Sequence, residues 1–584
     1  MKKRTMSIAA AAVVAVAGVA IGINANVGHT SPGASQAAAA KPQRGGTIIH
    51  ATSTQWSGNF MPYLSSSEYD IDIWGNQFMS LLGTTPRGQV TTYGGVVSKY
   101  TISKDKRTFT FWLNPKARWN NGRRVTARDV KLFLQFVASK AYVDTLTGPY
   151  AGSWSDIVGM TEKNGNPLPN GQTPSGFKQL GKYTFSITIT KPYANALLSQ
   201  LTGIVPLPYF ALHRYPFQEW NKIAFNHFPK IGDGPWVMSK VIPGEVVVQT
   251  SNKYFEYGPP LVPTYEWKYV LSKEQPGDLL KGIINYTGLE AKYMSALKGA
   301  PGVTVKAETG LGYAYIGWRL NNSEYGKVFD NVHFRRGVEY ALDRPALNRA
   351  YNRDLGTLET GPLPDVYSWY DAAANTGKYA YAYSVKNAIR EFKEAGLKYN
   401  KKTGWFDWKG KTFKPTFTYS SGSTTLAQES TVLGEYMHAA HVDMVVNPAE
   451  DFNTMLSQLE NDANGKQPIQ GFILGLGIAT DPSFMGIIGS QSSFNLTSWD
   501  ITNQTLPHFQ PEDMKLLTEQ KSAAAFNKAY RKKVLDEWQI WFSKYLPFNI
   551  LYDNDSLHGW SSDLKGVVLS PFGSFYPWKW YFSK

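Results

Sequence analysis

The sequence contains no cysteine among its 584 residues. This absence excludes disulfide-stabilised scaffolds, zinc sites with thiolate ligands, iron–sulfur clusters, thiol catalysis and a lipid-modified N-terminal cysteine. Three catalytic signatures are also absent: the zinc-protease pattern HExxH, the phosphate loop GxxxxGK[ST] and the hydrolase elbow GxSxG. Gly475-Leu476-Gly477 lacks the third glycine of a dinucleotide-binding loop. No cofactor and no metal are therefore expected.

Acidic residues are scarce relative to basic ones. The chain has 45 Asp and Glu against 60 Lys and Arg, which gives a formal net charge of +15, or +12 after residue 40. No block of five basic residues occurs, so a solvated surface is favoured over a nucleic-acid site. An exported protein of this charge is expected to meet anionic envelope polymers or lipid headgroups.

The composition that is present indicates a globular protein. Hydrophobic residues make up 42% of the chain and charged residues 18%, unlike a disordered chain. Length predicts about four domains, and two or three large ones fit equally well. Aromatic residues reach 14%, which also suits carbohydrate stacking. An exported carbohydrate hydrolase with two facing carboxylates is therefore kept as an alternative.

The first 40 residues have the layout of a secretory signal. Lys2, Lys3 and Arg4 precede an uncharged apolar run over residues 6–23, and a stretch rich in small residues follows. Ala at positions 38–40 fits the cleavage rule. The alternative is a retained anchor, because the apolar run is near the minimum of about 17 residues for a span.

Strand and helix patterns alternate after residue 44. Residues 108–113 alternate apolar and polar side chains and predict a strand. Thr126 followed by Asp129 predicts a capped helix with an apolar stripe. Further strands are predicted at 183–189, 236–238, 245–249 and 313–318, and further helices at 332–342 and 387–396. Without long linkers or repeats, the pattern predicts large, packed α/β domains.

Two groups of titratable residues indicate other chemistry only weakly. His438 and His441 stand three residues apart on a predicted helix, and no third ligand lies nearby. A partly exposed helix face is favoured there over a metal site. Glu460 and Asp462 lie in or beside the polar stretch 461–465 and are predicted to be solvated.

Five segments, in order, resemble one family: the extracellular solute-binding proteins of ABC importers, of the oligopeptide- and dipeptide-binding type. They are the opening strand at 44–49, the motif TFTFWLNPKARWNNGRRVTARDVKLFLQF at 108–136, IGDGPW at 231–236 with SNKYF at 251–255, the helix at 330–344, and GPLP at 361–364 with EAGL at 394–397. The resemblance covers almost the whole chain after the signal.

The resemblance implies an α/β fold: a two-lobed, periplasmic-binding-protein-like clamp of type II, with an extra domain in the first lobe and a two-segment hinge. Domain I of lobe 1 is expected at 41–85, 226–310 and 546–584, domain II of lobe 1 at 86–225, and domain III, which forms lobe 2, at 311–545. The hinge crossings are expected near 310–318 and 545–552.

The resemblance also implies where ligand binds. In peptide-binding members an extended peptide lies between the lobes, and its backbone pairs with strands of the protein. Segments 148–151 and 475–484 match the positions concerned. The ligand contacts implied are Tyr150, Gly475, Leu476, Ile478, Asp481, Asn495 and Trp499.

One position departs from the family pattern. Members that take short peptides place an aspartate on the ligand-binding strand to pair with the α-amino group, and the aligned residue here is Ile478. The chain is therefore expected not to clamp a free N-terminus there, and to take longer peptides or another solute. The alternative is that Asp481, three residues later, is the amine partner.

Structural roles are the alternative for the same residues. Tyr150 also suits packing between domains, Asp481 suits capping a helix near Ser483, and Asn495 suits satisfying a turn. Trp499 is one of many aromatic residues and also suits packing away from the cleft.

The expected function is non-enzymatic. The chain would capture an oligopeptide outside the cell and deliver it to the transmembrane permease subunits. The open alternatives are another solute, such as a sugar or a metal chelate, and the hydrolase above. The protein is expected to be an exported monomer at the outer face of the membrane, or periplasmic in a cell with two membranes, and to have no nucleic acid partner.

Overall fold

The computed structural model describes residues 44–461, 465–478, 480–481, 495–499 and 510–583, together with Pro42. The strands are β1 (Thr47–Thr52), β2 (Gly83–Thr84), β3 (Val90–Thr91), β4 (Val97–Ile102), β5 (Thr108–Leu113), β6 (Phe177–Gln179), β7 (Thr184–Thr188), β8 (Trp236–Ile242), β9 (Val246–Ser251), β10 (Thr264–Tyr269), β11 (Tyr286–Leu289), β12 (Val303–Trp318), β13 (Lys398–Tyr399), β14 (Phe406–Trp408), β15 (Lys411–Thr412), β16 (Thr416–Thr418), β17 (Val445–Val446), β18 (Gly471–Gly477), β19 (Asn549–Ser561), β20 (Leu564–Lys565), β21 (Val568–Ser570), β22 (Gly573–Phe575) and β23 (Tyr581–Phe582).

Helices alternate with these strands through most of the described chain. The α-helices are α1 (Glu68–Gly75), α2 (Ala127–Val137), α3 (Tyr209–Leu212), α4 (Ala224–His227), α5 (Gln275–Leu280), α6 (Met294–Leu297), α7 (Gly326–Phe329), α8 (Val332–Ala341), α9 (Arg344–Leu347), α10 (Val385–Glu394), α11 (Thr424–Ala439), α12 (Phe452–Glu460), α13 (Gln510–Glu519) and α14 (Lys528–Tyr545).

Local chemistry explains the segment with the clearest sequence pattern. In β5 the burial alternates along the strand, with Phe109, Phe111 and Leu113 inside. At α2, the Asp129 carboxylate accepts from the backbone N–H of Thr126 at 2.7 Å, which completes the predicted capping box. Both predictions are confirmed.

The largest sheet has ten described strands, in the order β17-β16-β18-β12-β19-β11-β1-β10-β9-β8. A separate four-stranded sheet, β4-β5-β7-β6, packs with α2. Its strands belong to the segment expected to form domain II. The domain boundaries themselves stay predictions.

The buried side chains form two large clusters. One is built from residues 48–286 together with 560–580, and the other from residues 313–552. Two separate cores of this size require two lobes, as the fold prediction states.

Strands β12 and β19 run through both lobes. They pair from Val303↔Ser561 to Ile316↔Asn549, and the register shifts between Thr309 and Tyr313. A shift of this kind marks a bulge, where a ladder bends more easily than elsewhere. The bulge adjoins the expected hinge crossing near 310–318, which stays a prediction.

Candidate functional site

The two lobes touch along a series of side-chain contacts, here called the bridging contacts. They are Ser66–Glu460, Gln55–Asn453, Tyr69–Phe452, Asn195–Asp481, Asp156–Lys521, Lys292–Thr424 and Ser272–Gly422. Because they join distant parts of both lobes, the clamp is closed in this structure.

Asp481 forms the most fully paired bridging contact. The guanidinium of Arg531 in α14 donates to both carboxylate oxygens, at 2.9 and 3.1 Å, and the Asn195 amide of the first lobe donates to the same carboxylate. Asp481 is 3% exposed. A buried carboxylate with a two-point guanidinium partner is already satisfied. Its geometry therefore favours a structural role over pairing with a ligand ammonium.

Glu460 forms a bridging contact of a different kind, with a hydroxyl group as its partner. It ends α12, and its carboxylate accepts from the Ser66 hydroxyl at 2.5 Å. Burial raises the pKa of Glu460 to about 7, although the Ser66 hydrogen bond acts in the opposite direction. The prediction that Glu460 is solvated is wrong. The side chain is hydrogen-bonded to Ser66 of the other lobe, which lies 394 residues earlier in the chain. Asp462 lies outside the described residues.

Two acidic side chains of α1 lie close to the bridging contacts. Glu68 and Asp72, one turn apart in α1, both keep exposed surface. Burial nevertheless raises the pKa of Glu68, and burial together with the nearby Glu68 raises that of Asp72 well above its usual range. Tyr69 of the same helix contacts Phe452 of the second lobe, so the two carboxyl groups lie beside the contacts between the lobes. Glu68 and Asp72 are here called the acidic wall.

An aromatic wall faces Asp72. Burial raises the pKa values of Tyr265 and Tyr286, and the charge of Asp72 adds to both shifts. His50 lies between these rings, 4.4 Å from the Trp267 ring centroid, and burial lowers its pKa to about 3. The His50 Nδ1 lies 2.9 Å from the Tyr265 hydroxyl, so the neutral imidazole is held among these aromatic rings.

Strand β18 presents an open edge in the second lobe. One side pairs with β12 from Gly471 to Gly477, whereas β16 pairs only with Gly471 and Phe472. Beyond Phe472 no described strand covers the second edge. Gly475 and Gly477 are exposed there, and a Cβ added at Gly477 would meet no atom within 4 Å. Unpaired backbone groups of this kind accept an added strand.

The predicted contact residues do not all reach one surface. Gly475 is exposed, Leu476 is half-buried, and both lie on the open strand. Ile478 is 4% exposed, and its backbone N–H donates to Leu311 at 2.6 Å. Its side chain packs in the second core rather than in the cleft.

The other three predicted residues are buried. Tyr150 is 3% exposed and lies 5.1 Å from the Tyr63 ring centroid, and its pKa is raised by burial and by the charge of Glu460. It thus packs inside the first core. Asn495 accepts from the Trp499 N–H at 2.9 Å, as a turn residue does. Trp499 is 1% exposed and packs on Trp541.

Other sequence candidates give no site in the described chain. His438 belongs to α11 and contacts the Met444 carbonyl at 2.8 Å, whereas His441 lies beyond the helix with a φ of 64°. They do not share a helix face. The described residues contain no group of three or more ligand-type side chains placed to hold a metal ion. Ser483, the proposed helix start near Asp481, lies outside the described residues.

No helix among the described residues is long and apolar enough to cross a membrane.

Sequence reasoning missed the partners that matter most. Asn195 and Arg531 hold Asp481, and Glu68 with Asp72 forms the acidic wall. The spacing of Glu68 and Asp72, four residues apart in a helix, was the one local signal available for the wall.

The comparisons with known proteins agree with the two-lobed architecture. The oligopeptide-binding protein OppA of Lactococcus lactis subsp. cremoris is 19% identical over 479 residues, covering 76% of this chain and 74% of that protein. The oligopeptide-binding protein AppA of Bacillus subtilis, solved with a nonapeptide, matches with a TM-score of 0.81 at 19% identity, covering 93% of this chain and all of the other.

A further neighbour has a different printed ligand. NikZ of Campylobacter jejuni, solved with Ni(L-His), matches with a TM-score of 0.72 at 20% identity over 92% of this chain and 99% of that one. These structural likenesses show the α/β two-lobed fold and confirm the fold prediction.

The family model for "bacterial extracellular solute-binding proteins, family 5" matches residues 91–495, more than two thirds of the chain. Together with the two cores and the shared strands, this shows that the chain belongs to the family 5 solute-binding proteins of ABC importers.

Proposed function

We propose that this chain captures oligopeptides in a cleft between its lobes, here called the peptide chamber, and delivers them to the permease of an ABC importer. The observation that carries the proposal is the open edge of β18 at Gly475–Gly477. A peptide laid along this edge gains main-chain hydrogen bonds whatever its side chains are. The nonapeptide bound to AppA and the name of OppA support the same ligand class.

The ligand's amino end is proposed to lack a carboxylate partner on β18. Ile478 is apolar and its side chain is buried, and the Asp481 carboxylate is already paired with Arg531. An ammonium group would therefore gain no ion pair at this strand. Positive charge along the peptide is proposed to be favoured beside Glu68 and Asp72, because a nearby cation lowers the raised pKa values of these carboxyl groups and favours their ionised forms.

The edge is tested with Gly477→Val. The added side chain has open space, so the free protein is expected to keep its thermal midpoint. It would occupy the place of the peptide backbone, and affinity for a peptide library of about nine residues should fall by about tenfold or more. Gly277→Val is the matched control, because Gly277 also has free space and lies in α5 rather than on β18. Unchanged affinity in Gly477→Val would refute the strand-edge proposal.

The amino end is tested with pairs of peptides that differ only in N-terminal acetylation. Similar stabilisation by both members is expected, because ligand stabilisation follows affinity. A large loss on acetylation would instead assign the ammonium to a carboxylate. Ni(L-His) and oligosaccharides serve as the other arms, and stabilisation by either one alone would replace the peptide proposal.

A further inference from the structure

The positive charge of this protein is concentrated in one domain. Residues 86–225 hold 18 Lys and Arg against six Asp and Glu, which is a formal charge of +12. The rest of the chain after residue 40 holds 39 of each and is neutral. The basic residues form no block in sequence, yet one part of the fold carries the whole excess.

Part of this charge surrounds a cavity. A pocket of about 870 Å³ lies where the β5–α2 connection, the β6–β7 turn and the start of α3 meet. Its lining includes Arg123, Arg124, Arg128 and Lys182, here called the basic pocket. Arg123, Arg128 and Lys182 are exposed, and Arg124 is half-buried.

Aromatic rings hold the guanidinium groups in place. The Arg124 guanidinium lies 3.5 Å from the Tyr183 ring centroid, and that of Arg123 lies 4.6 Å from the Phe210 centroid. The backbone N–H of Ala127 donates to the Lys182 carbonyl at 3.0 Å and ties the two connections together. The cations are thus positioned before any ligand arrives.

Of the residues described, Asp129 is the one acidic residue in the lining of the basic pocket. Within the described chain, none of its four cations forms a salt bridge. Asp129 lines the pocket, but it is 2% exposed and its oxygens accept from Thr126 and from the backbone N–H of Tyr209. The buried Nε of Arg124 has no hydrogen-bond partner among the described residues. A site of this composition binds anions.

Apolar side chains next to the basic pocket point to a membrane surface. Leu180, in the turn between Lys178 and Lys182, is 58% exposed. Tyr254, 37% exposed, lies against the turn at Gly122. Basic residues mixed with exposed leucine and tyrosine are typical of surfaces that enter the headgroup layer, whereas a soluble polyanion needs only the charge.

The basic pocket also lies apart from the bridging contacts. The first lobe's extra domain meets the second lobe through Asp156 and Asn195, and neither residue lines the pocket. A surface bound at the pocket therefore leaves these contacts free.

We propose that the basic pocket and Leu180 form a docking site for the phosphate headgroups of an anionic membrane. It holds the receptor at the membrane by this domain while the peptide chamber stays free.

The test is vesicle co-sedimentation of the chain as it is exported. Vesicles of phosphatidylcholine are compared with vesicles that contain about 30% phosphatidylglycerol, at about 0.1 M salt. The pocket variant is Arg123→Gln/Arg128→Gln/Lys182→Gln. Three basic residues at a membrane surface predict a loss of about 100-fold in binding to anionic vesicles.

The matched control is Lys398→Gln/Lys401→Gln/Lys402→Gln. These lysines are exposed in the second lobe, and their replacement removes the same total charge. Binding to anionic vesicles is expected to change less than about twofold. Peptide affinity and thermal midpoint are measured for both variants, and both are expected to stay at the wild-type level. A segment that inserts without regard to charge binds neutral and anionic vesicles equally. Subtracting the binding to neutral vesicles therefore removes its contribution.

Three results would overturn the proposal. Equal losses in the two variants would show that total charge alone acts. Equal binding of the wild-type chain to neutral and anionic vesicles would remove the headgroup from the site. Stabilisation by inorganic polyphosphate without any vesicle binding would assign the pocket to a soluble anion.

Discussion

Two buried carboxylates, Asp481 and Glu460, hold the lobes together in opposite ways. Asp481 has a guanidinium and an amide as partners, whereas Glu460 has a hydroxyl from Ser66. The Arg531 guanidinium offsets part of the cost of burying the Asp481 carboxylate. Among the described residues Glu460 forms no salt bridge, and burial raises its pKa to about 7. The two bridging contacts thus differ: one carboxylate has a cationic partner, and the other carboxyl group titrates near neutrality.

The largest effect is expected from removing the cation of the paired contact. Arg531→Met leaves the Asp481 carboxylate buried without its guanidinium and should destabilise the protein by about 3–5 kcal/mol in chemical denaturation. The double variant Asp481→Leu/Arg531→Met should recover most of this loss, because neither charge then remains buried.

Lys533→Met is the control for this pair, since Lys533 lies in the same helix and forms only an exposed salt bridge with Glu537 at 3.7 Å. Its expected effect is below about 1 kcal/mol. A double variant as unstable as the single one would show that packing, and not charge pairing, matters at Asp481.

A smaller effect of opposite sign is expected at the Ser66–Glu460 contact. The pKa of Glu460 in the folded protein, about 7, lies above the usual value of 4.5 that applies when the chain is unfolded. Its carboxyl therefore costs no stability below about pH 4.5, the cost grows between about pH 4.5 and pH 7, and it stays constant at higher pH. Glu460→Gln should raise the free energy of unfolding by about 1–3 kcal/mol at pH 8, with little change at pH 5.

The control at this site is Glu394→Gln, an exposed carboxyl at the end of α10. Thermal midpoints of both variants, measured at several pH values, test whether the gain in Glu460→Gln depends on pH. A gain at Glu460 that is the same at pH 5 and pH 8 would contradict the titration, and would indicate better hydrogen bonding by the amide.

The smallest effect is expected at Asn195, which joins Asp481 to the first lobe. Asn195→Ala removes one interlobe hydrogen bond and leaves the ion pair intact, so the folded lobes should keep their stability. Closure around peptide should weaken by about 0.5–1.5 kcal/mol, which is about two- to tenfold in affinity. Calorimetric titration with a peptide ligand measures this loss of affinity. The control is Asn164→Ala, since Asn164 is an exposed turn residue of the same domain. An equal loss in the control would place the effect in the domain and not in the bridge.

The sequence predicted those features that depend on neighbouring residues. The alternation of β5, the capping box at Thr126 and Asp129, and the helices near 332–342 and 387–396 all formed as expected. Each is decided by side chains within one or two turns of the chain. The family resemblance supplied the two lobes, which local patterns do not specify.

The site was less predictable because its contacts join remote segments. Arg531 lies 50 residues beyond Asp481, and Ser66 lies on the other lobe from Glu460. A polar neighbourhood in sequence therefore suggested that Glu460 is solvated, although the fold buries it. Alignment likewise placed Ile478 and Trp499 at the ligand, whereas both side chains pack into the second core.

The division of the first core between distant segments has a consequence for how the chain is assembled during export. Trp578 stacks with Tyr257 at 5.9 Å, and Phe582 lies against Gly46. The second core, by contrast, lies within residues 313–552. As a chain emerges from its N-terminus, the second lobe can therefore assemble first, while the first lobe waits for residues 560–582. We therefore expect the first lobe, and with it the closed arrangement of the two lobes, to form only after the last strands have left the translocation channel.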